Sequence, residues 1–456
     1  MLERKFASYL EKFLKEERDK ILLVNGARQI GKTYLIRHVG QELFAHYVEI
    51  NLKEDKEGDK VFADVHSPSD LYMRLSNYHS EPLGGLTDTL VFLDEIQSYP
   101  HLLTMLKFLN IEGRYRFIAS GSQLGVAFAQ TPSVPIGSVE TRQMYPLDFE
   151  EFLWATGVGK EWIAKIRERF LNEEALEKND HRLLLKRFQY YLLIGGMPDA
   201  VNRYLEDRNM FRVRAVQKEI HDLYRIDASQ YDAEHKLKIR RIYDLIPSNL
   251  ENRKKRIVYK QIENKTGKHF ADYADEFEFL ANSGVALEVL AISTPRFPLM
   301  ESEQKRLIKL FLNDVGLLTQ LLYGLNVNAV LQDLRSINLG TVYESVVAQE
   351  LHAHGFPLHY YDNKQRGKVD FLVDDYERMQ VLPIEVKSGK DHTLHSALDN
   401  FLSTPEYGID RAIVFSNERK VERKNGILYI PVYYSMFLNH DQQGATSVIL
   451  PELEQV

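Results

Sequence analysis

The sequence predicts an α/β chain: a mostly parallel sheet with helices on both faces, then a helical region, then a smaller α/β unit. Three observations predict it. Apolar runs alternate with helix-compatible segments between residues 21 and 122. The first run, Ile21-Leu22-Leu23-Val24-Asn25, leads into Gly26-Ala27-Arg28-Gln29-Ile30-Gly31-Lys32-Thr33, the G-x-x-x-x-G-K-T spacing of a phosphate-binding loop. A later run, Leu90-Val91-Phe92-Leu93, ends in Asp94-Glu95. Strand–helix alternation of this kind implies a parallel sheet covered on both sides.

Residues 1–20 read as an amphipathic helix ahead of the first strand. Tyr47–Leu52 reads as the second strand, and 53–65 as a charged loop or helix start. Pro68–Tyr78 is a helix, with Ser67 as its cap. The strand ending at Asp94 follows, then a helix over 102–109. Arg116-Phe117-Ile118-Ala119 is a further buried strand that ends in Ser120-Gly121-Ser122. From about 148 to 225 the pattern turns helical. Residues 232–280 are helical too, but basic. Segments 283–293 and 307–313 are strand-like and flank a proline-containing loop over 294–303; helices followed by two such strands suggest a winged helix. From 338 a new α/β pattern begins, with a helix over 340–354 and strands at 357–361, 368–373, 381–387 and 411–415.

At 456 residues, two to four domains are expected. Hydrophobic content of 44% and charged content of 27% are those of a soluble globular protein. No apolar run approaches the about 18 residues that span a membrane, so no membrane partner is expected. The N-terminus has no signal-peptide core. With no cysteine, disulfides and thiolate metal sites are excluded. These features fit the cytoplasm. The net charge of -7 argues against a globally basic nucleic-acid binder. Residues 236–268 stand against that average, with eleven Lys or Arg and three acids. The segment reads as a DNA-backbone contact, with Tyr243 and Tyr259 interleaved, or as a solvated helix face.

The first motif binds ATP. Its glycines let backbone N–H groups turn inward around phosphates, Lys32 reaches the β- and γ-phosphates, and Thr33 holds Mg²⁺. The helix that follows adds its positive dipole end. Asp94 is the second Mg²⁺ ligand, and Glu95 orients the attacking water. Near the C-terminus, Glu344 lies on a predicted helix, Asp370 in Lys368-Val369-Asp370-Phe371, and Glu385 and Lys387 two apart on one strand face. An acidic pair on adjacent strands, Asp370 and Glu385, is the kind that binds a divalent metal and activates water on a phosphodiester, with Lys387 on the attacking or leaving oxygen. Glu385 and Lys387 read equally as an ion pair on an exposed strand. The order helix-Glu, Asp, Glu-x-Lys is the core pattern of PD-(D/E)XK nuclease-like domains.

The whole set of motifs resembles one family: prokaryotic AAA-type ATP-binding proteins with a C-terminal restriction-endonuclease-like domain of unknown function. The resemblance covers nearly the whole chain. Besides the motifs above, it rests on Ile96-Gln97 after Glu95, Ala119–Ser122, Tyr145-Pro146-Leu147-Asp148-Phe149-Glu150-Glu151-Phe152, Ile194-Gly195-Gly196-Met197-Pro198, Leu312–Leu318, Tyr343-Glu344 and Ile384–Ser388. It implies an ATPase domain over 1–147, a helical lid over 148–232, a winged-helix-like domain over 233–335 and a nuclease-like domain over 336–456. It implies that Ser120 senses the γ-phosphate. Relatives carry Gly-Arg before Tyr-Pro-Leu as an arginine finger; here Ser138 follows Gly137, and Arg142 is the nearest substitute. The expected function is Mg²⁺-dependent ATP hydrolysis acting on nucleic acid, with DNA cleavage by Glu344, Asp370, Glu385 and Lys387. The alternative is an ATP-gated switch whose inactive nuclease-like domain binds a protein partner.

Overall fold

The computed structural model describes residues 2–16, 19–78, 82–122, 124, 137–228, 235–331, 339–388 and 396–440. The first sheet contains β1 (Ile21–Asn25), β2 (His46–Asn51), β3 (Thr89–Asp94), β4 (Arg116–Gly121) and β5 (Val139–Gln143), in the order β2-β3-β4-β1-β5. Every pairing in it is parallel. Successive side chains of a strand face opposite ways, and in β1, β3 and β4 both faces are buried. Leu22 and Val24 pack with Phe92, Ile118 and the helix Lys32–Leu43. Ile21 and Leu23 pack with Val91, Phe117 and the helices Pro68–Tyr78 and Pro100–Glu112. Two-sided burial is why these strands read as unbroken apolar runs. Because β3, β4 and β1 are neighbours, the loop after β1, Asp94 and Ser120 arrive at one edge of the sheet, where open α/β sheets bind ligands.

The strand β5 was not among the expected elements. Val139-Glu140-Thr141-Arg142-Gln143 lies at the sheet edge with part of every side chain in solvent, so it carries no apolar run.

Helices follow over Phe149–Ala155, Lys160–Leu171, Lys178–Ile194, Pro198–Asp207, Met210–Ala228 and Lys236–Glu251. The first starts at a capping box between Asp148 and Glu151. Gly195, at φ +73°, and Gly196 thread between two other segments. A Cβ on Gly195 would overlap the Asp314 carboxylate, and one on Gly196 would overlap the Leu147 carbonyl. The Gly196 N–H donates to Asp314 Oδ2 at 2.6 Å, and Leu317 N–H donates to Oδ1 at 3.0 Å. Three of the sequence motifs, around Leu147, Gly195 and Asp314, thus meet at one buried junction.

The second sheet is mixed. It contains β6 (Ala286–Ile292), β7 (Glu303–Leu312), β8 (His359–Asn363), β9 (Gly367–Asp375), β10 (Gln380–Val386), β11 (Ala412–Ser416), β12 (Glu422–Lys424) and β13 (Ile427–Pro431). Their order is β12-β13-β11-β10-β9-β8-β6-β7. The strands expected to form a separate wing, β6 and β7, do pair antiparallel. But β6 also pairs in parallel with β8, so one sheet joins the region before 331 to the region after 339. The reason is that β6 is largely buried and its second backbone edge needs hydrogen-bond partners. The expected boundaries at 232/233 and 335/336 lie outside the described residues. Among the described residues, no helix is long and apolar enough to cross a membrane.

Candidate functional site

The loop after β1 takes the backbone shape its glycines allow. Gly26 and Gly31 have φ of 149° and 92°, and Gln29 is left-handed at 60°. A Cβ on Gly26 would overlap the Met144 carbonyl. Lys32 opens the helix Lys32–Leu43, and its ammonium donates to the carbonyls of Gly26 and Ala27, each at 2.8 Å. Burial pushes Lys32 down to about 8, while Glu95 and Asp94 pull it back up. Thr33 Oγ1 donates to Asp94 Oδ2 at 2.7 Å, and the Ser120 hydroxyl donates to Oδ1. The Glu95 N–H also reaches Oδ1, at 3.0 Å. Burial raises the Asp94 carboxyl despite these donors. Glu95 sits at a left-handed turn, φ 53°, and its carboxylate accepts from the Gln97 amide. Thr33, Asp94, Glu95 and Ser120 therefore form one hydrogen-bonded constellation, with the Lys32 ammonium beside the Asp94 and Glu95 carboxylates. Adjacent Thr33 and Asp94 oxygens suit a hard cation such as Mg²⁺.

The rest of the loop is held from outside the first sheet. Ala27 and Ile30 are buried. The Arg28 guanidinium pairs with Asp227, on the helix Met210–Ala228, and its carbonyl accepts from Tyr224 OH at 2.8 Å. The Ile30 carbonyl accepts from Arg4 Nη1 at 3.1 Å. Arg4 also binds Glu151 and the Tyr145 carbonyl. Sequence reasoning missed Arg4, Tyr224 and Asp227, because nothing local marks them. Arg142, the substitute finger, is engaged with Glu140 at 2.9 Å and lies over the Tyr9 ring.

A second constellation forms in the C-terminal sheet. Glu344 comes from the helix Gly340–Ala353, Asp370 from β9, and Glu385 from β10 with Lys387 just beyond. Asp370 Oδ2 accepts from Val386 N–H at 2.9 Å, and Glu385 Oε1 from Lys387 Nζ at 2.7 Å. Oε1 of Glu344 pairs with Lys255, which arrives from the basic segment. Lys309 of β7 is buried nearby, with its ammonium 4.1 Å from the Tyr360 ring centroid. Burial, then Asp370, pushes Glu385 up to about 8 and raises Glu344 as well. Burial lowers Lys309. Oε2 of Glu344 and Oε2 of Glu385 are buried without a partner. Glu344 is thus answered by Lys255 and Glu385 by Lys387, while Asp370 is held by the Val386 N–H. Among the described residues, no three His, Cys, Asp or Glu side chains are disposed to hold a metal ion. The expected metal ligands Asp370 and Glu385 are brought together, but ammonium groups compensate their charge in this arrangement.

The basic segment is less open than its composition implies. Lys255 and Arg256 turn inward, and Arg256 binds Asp362 and Tyr360 OH, each at 2.7 Å. Lys238 pairs with Glu276, and Lys268 with Asp272. Tyr243 is fully buried. Arg253, Lys254 and Lys260 are exposed.

A family model for an AAA domain matches residues 18–153. Residues 18–153 form an AAA-type, P-loop ATP-binding domain. The remainder matches a domain of unknown function (DUF8612) over 185–329 and another (DUF4143) over 339–434. No curated protein matches the chain. Among solved structures, a Walker-type ATPase of Pyrococcus abyssi is similar at 14% identity and a TM-score of 0.42, over 70% of this chain and 95% of that one. The Aeropyrum pernix ORC1 protein in complex with DNA is similar at 15% identity and 0.30, over 72% and 91%. DnaA of Aquifex aeolicus bound to AMPPCP is similar at 11% identity and 0.28, over 57% and 75%.

Proposed function

We propose that this chain is a Mg²⁺-dependent ATP hydrolase that acts on nucleic acid through its C-terminal half. The observation that carries the hydrolase reading is the convergence of Lys32, Thr33, Asp94, Glu95 and Ser120 at neighbouring strand ends. In this reading the backbone of Gly26–Thr33 and the Lys32 ammonium hold the phosphates. Thr33 and Asp94 hold Mg²⁺, which when bound neutralises phosphate charge. Glu95 accepts a hydrogen bond from the attacking water and orients it. Ser120 fixes the Asp94 carboxylate and reports on the γ-phosphate side of the site. The ATPase unit, helical lid, winged-helix-like region and nuclease-like region then follow in chain order, with Glu344, Asp370, Glu385 and Lys387 facing a phosphodiester. ATP turnover measured with and without single- and double-stranded DNA tests this. Turnover that requires Lys32 and rises with DNA is expected; absence of turnover under all three conditions removes the reading.

The second reading is an ATP-gated switch with an inert C-terminal domain that engages a protein partner. It is favoured by the lysine compensation of the carboxylate cluster. Turnover indifferent to DNA, with no cleavage of DNA or RNA, selects it.

A further inference from the structure

The loop Gly26–Thr33 carries two cations, Arg28 and Lys32. The Lys32 ammonium is turned onto the loop's own carbonyls. Arg28 is held from outside. Tyr224 OH donates to its carbonyl at 2.8 Å, and Asp227 pairs with Nη1 of its guanidinium. Both anchors lie about one turn apart on the helix Met210–Ala228. The ion pair is mostly buried, with side chains 17% and 10% exposed. A guanidinium has five N–H donors in a rigid fork. Among the described residues, Nη1 is engaged by Asp227, and Nε and Nη2 have no partner. The surroundings place this fork on the Glu95 and Ser120 side of the site. Arg28 and Asp227 line a small cleft with Ser122, two residues beyond Ser120. The Gln97 amide donates both to Ser122 Oγ, at 3.4 Å, and to the Glu95 carboxylate. Burial raises Asp227, Arg28 and Lys53 draw it back, and Glu95 adds to the rise. The Arg28 charge also acts on Lys32. Other arginines are not available to the phosphates. Ser138 stands after Gly137, and Arg142 is engaged by Glu140 and the Tyr9 ring.

We propose that Arg28 is a catalytic arginine supplied from within the phosphate-binding loop itself, and that Asp227 positions it from the helical region. The Nε and Nη2 edge donates to γ-phosphate oxygens, over which negative charge is spread in the transition state. The water oxygen bonds to the γ-phosphorus as the bond from phosphorus to the β–γ bridging oxygen breaks. ADP, inorganic phosphate and one proton result, and Arg28 stays protonated throughout. Asp227 holds the opposite edge of the guanidinium, so the fork is set before ATP arrives and neither loop nor helix has to move. This rests on the reading of the chain as an ATP hydrolase and adds to it a side chain for the γ-phosphate. It also gives residues 185–329, the first domain of unknown function, a share in the catalytic site through Tyr224 and Asp227.

The test compares ATPγS with ADP, each with Mg²⁺, by titration calorimetry on the full chain. Arg28→Ala is expected to lose at least about tenfold in affinity for ATPγS and less than about twofold for ADP. Its ATP turnover should fall about 10³-fold. Arg28→Lys keeps the charge but not the fork, and should recover part of the ATPγS affinity. Asp227→Asn should reduce the preference for ATPγS over ADP while Arg28 is present, and change nothing further when added to Arg28→Ala; that non-additivity marks Asp227 as acting through the arginine. Melting supplies a second readout: ATPγS should raise the Tm of the unmutated chain more than ADP does, and Arg28→Ala should remove the difference. If Arg28→Ala does not fold, Arg28→Gln replaces it. Equal losses for ATPγS and ADP overturn the γ-phosphate role and leave the ion pair as a helix dock. An unmutated chain that hydrolyses ATP, with the nucleotide preference intact in Arg28→Ala, overturns the arginine alone. An unmutated chain that binds neither nucleotide overturns the hydrolase reading along with it.

Discussion

Lys32 shows how far single residues can be read. Its spacing from Gly26 and Gly31 identified a phosphate ligand, because only an extended cation after such a loop reaches the phosphates. Lys32→Ala should therefore abolish ATP binding, and Glu95→Gln should bind ATP while losing about 10²-fold or more in turnover. Nucleotide affinity and hydrolysis on both variants check this; normal turnover in Glu95→Gln would reassign the water-orienting residue. The buried setting adds an outcome the motif alone did not contain. Lys32 is pushed down to about 8, and triphosphate charge beside it raises its proton affinity again. ATP binding near about pH 8 should take up part of a proton, which calorimetry in buffers of different ionisation enthalpy measures. A binding enthalpy independent of buffer would show that Lys32 is fully charged beforehand. Residues whose partners are remote in sequence were not legible. Arg28 and Asp227 are 199 positions apart, and no local pattern links them. Lys255 read as one of a run of surface cations because its partner, Glu344, lies 89 positions away.

Elements were legible where burial imposes a period and illegible where it does not. The inner strands β1, β3 and β4 are buried on both faces and stand out as apolar runs, whereas β5 is an edge strand with a mixed pattern and was not expected as a strand. The antiparallel pairing of β6 with β7 was expected, but the parallel pairing of β6 with β8 was hidden, since sequence periodicity marks a strand and not its neighbours across a long separation. The glycine pair before Pro198 was recognised as a motif, and the structure supplies its reason. Gly196 passes against the Leu147 carbonyl and donates to a fully buried Asp314. Gly196→Ala should destabilise by about 3 kcal/mol or more, because the overlap is with backbone that cannot swing away. Asp314→Ala should cost a comparable amount, about 3 kcal/mol, by leaving the Gly196 and Leu317 N–H groups unpaired inside the protein. Denaturant unfolding of both variants measures this, and a loss below about 1 kcal/mol in each would show that the junction relaxes.

The whole molecule is tied together by the helix Gly340–Ala353. Glu344 near its start belongs to the carboxylate cluster, and Glu350 near its end accepts from Phe149 N–H at 2.9 Å and Tyr191 OH at 3.2 Å. His354 just beyond it contacts Asp148 at 3.2 Å, and Lys5 contacts Asp148 at 2.6 Å. One rigid element thus runs from the N-terminal half to the C-terminal sheet. Its docking depends on protons. Burial, then Asp148, pushes Glu350 up to about 7. Burial opposes the His354 charge, but Asp148 outweighs it and holds His354 above its ordinary value. Both groups bind a proton more tightly folded than unfolded, so their contributions are present at low pH and lost as pH rises. For Glu350 the loss runs from the ordinary 4.5 to about 7; for His354 it begins above 6.5. Asp148 is held well below the usual carboxylate range, first against burial and then by Lys5, so its contribution is kept until strongly acid pH. Stability should therefore fall between about pH 5 and pH 8, and Glu350→Gln, whose amide oxygen still accepts from Phe149 and Tyr191, should flatten the lower part of that fall. Melting temperatures of both proteins across this range decide it. Parallel profiles would mean that Glu350 is ionised at the junction throughout, and that its charge is met by Lys5 and His354 more fully than the geometry indicates.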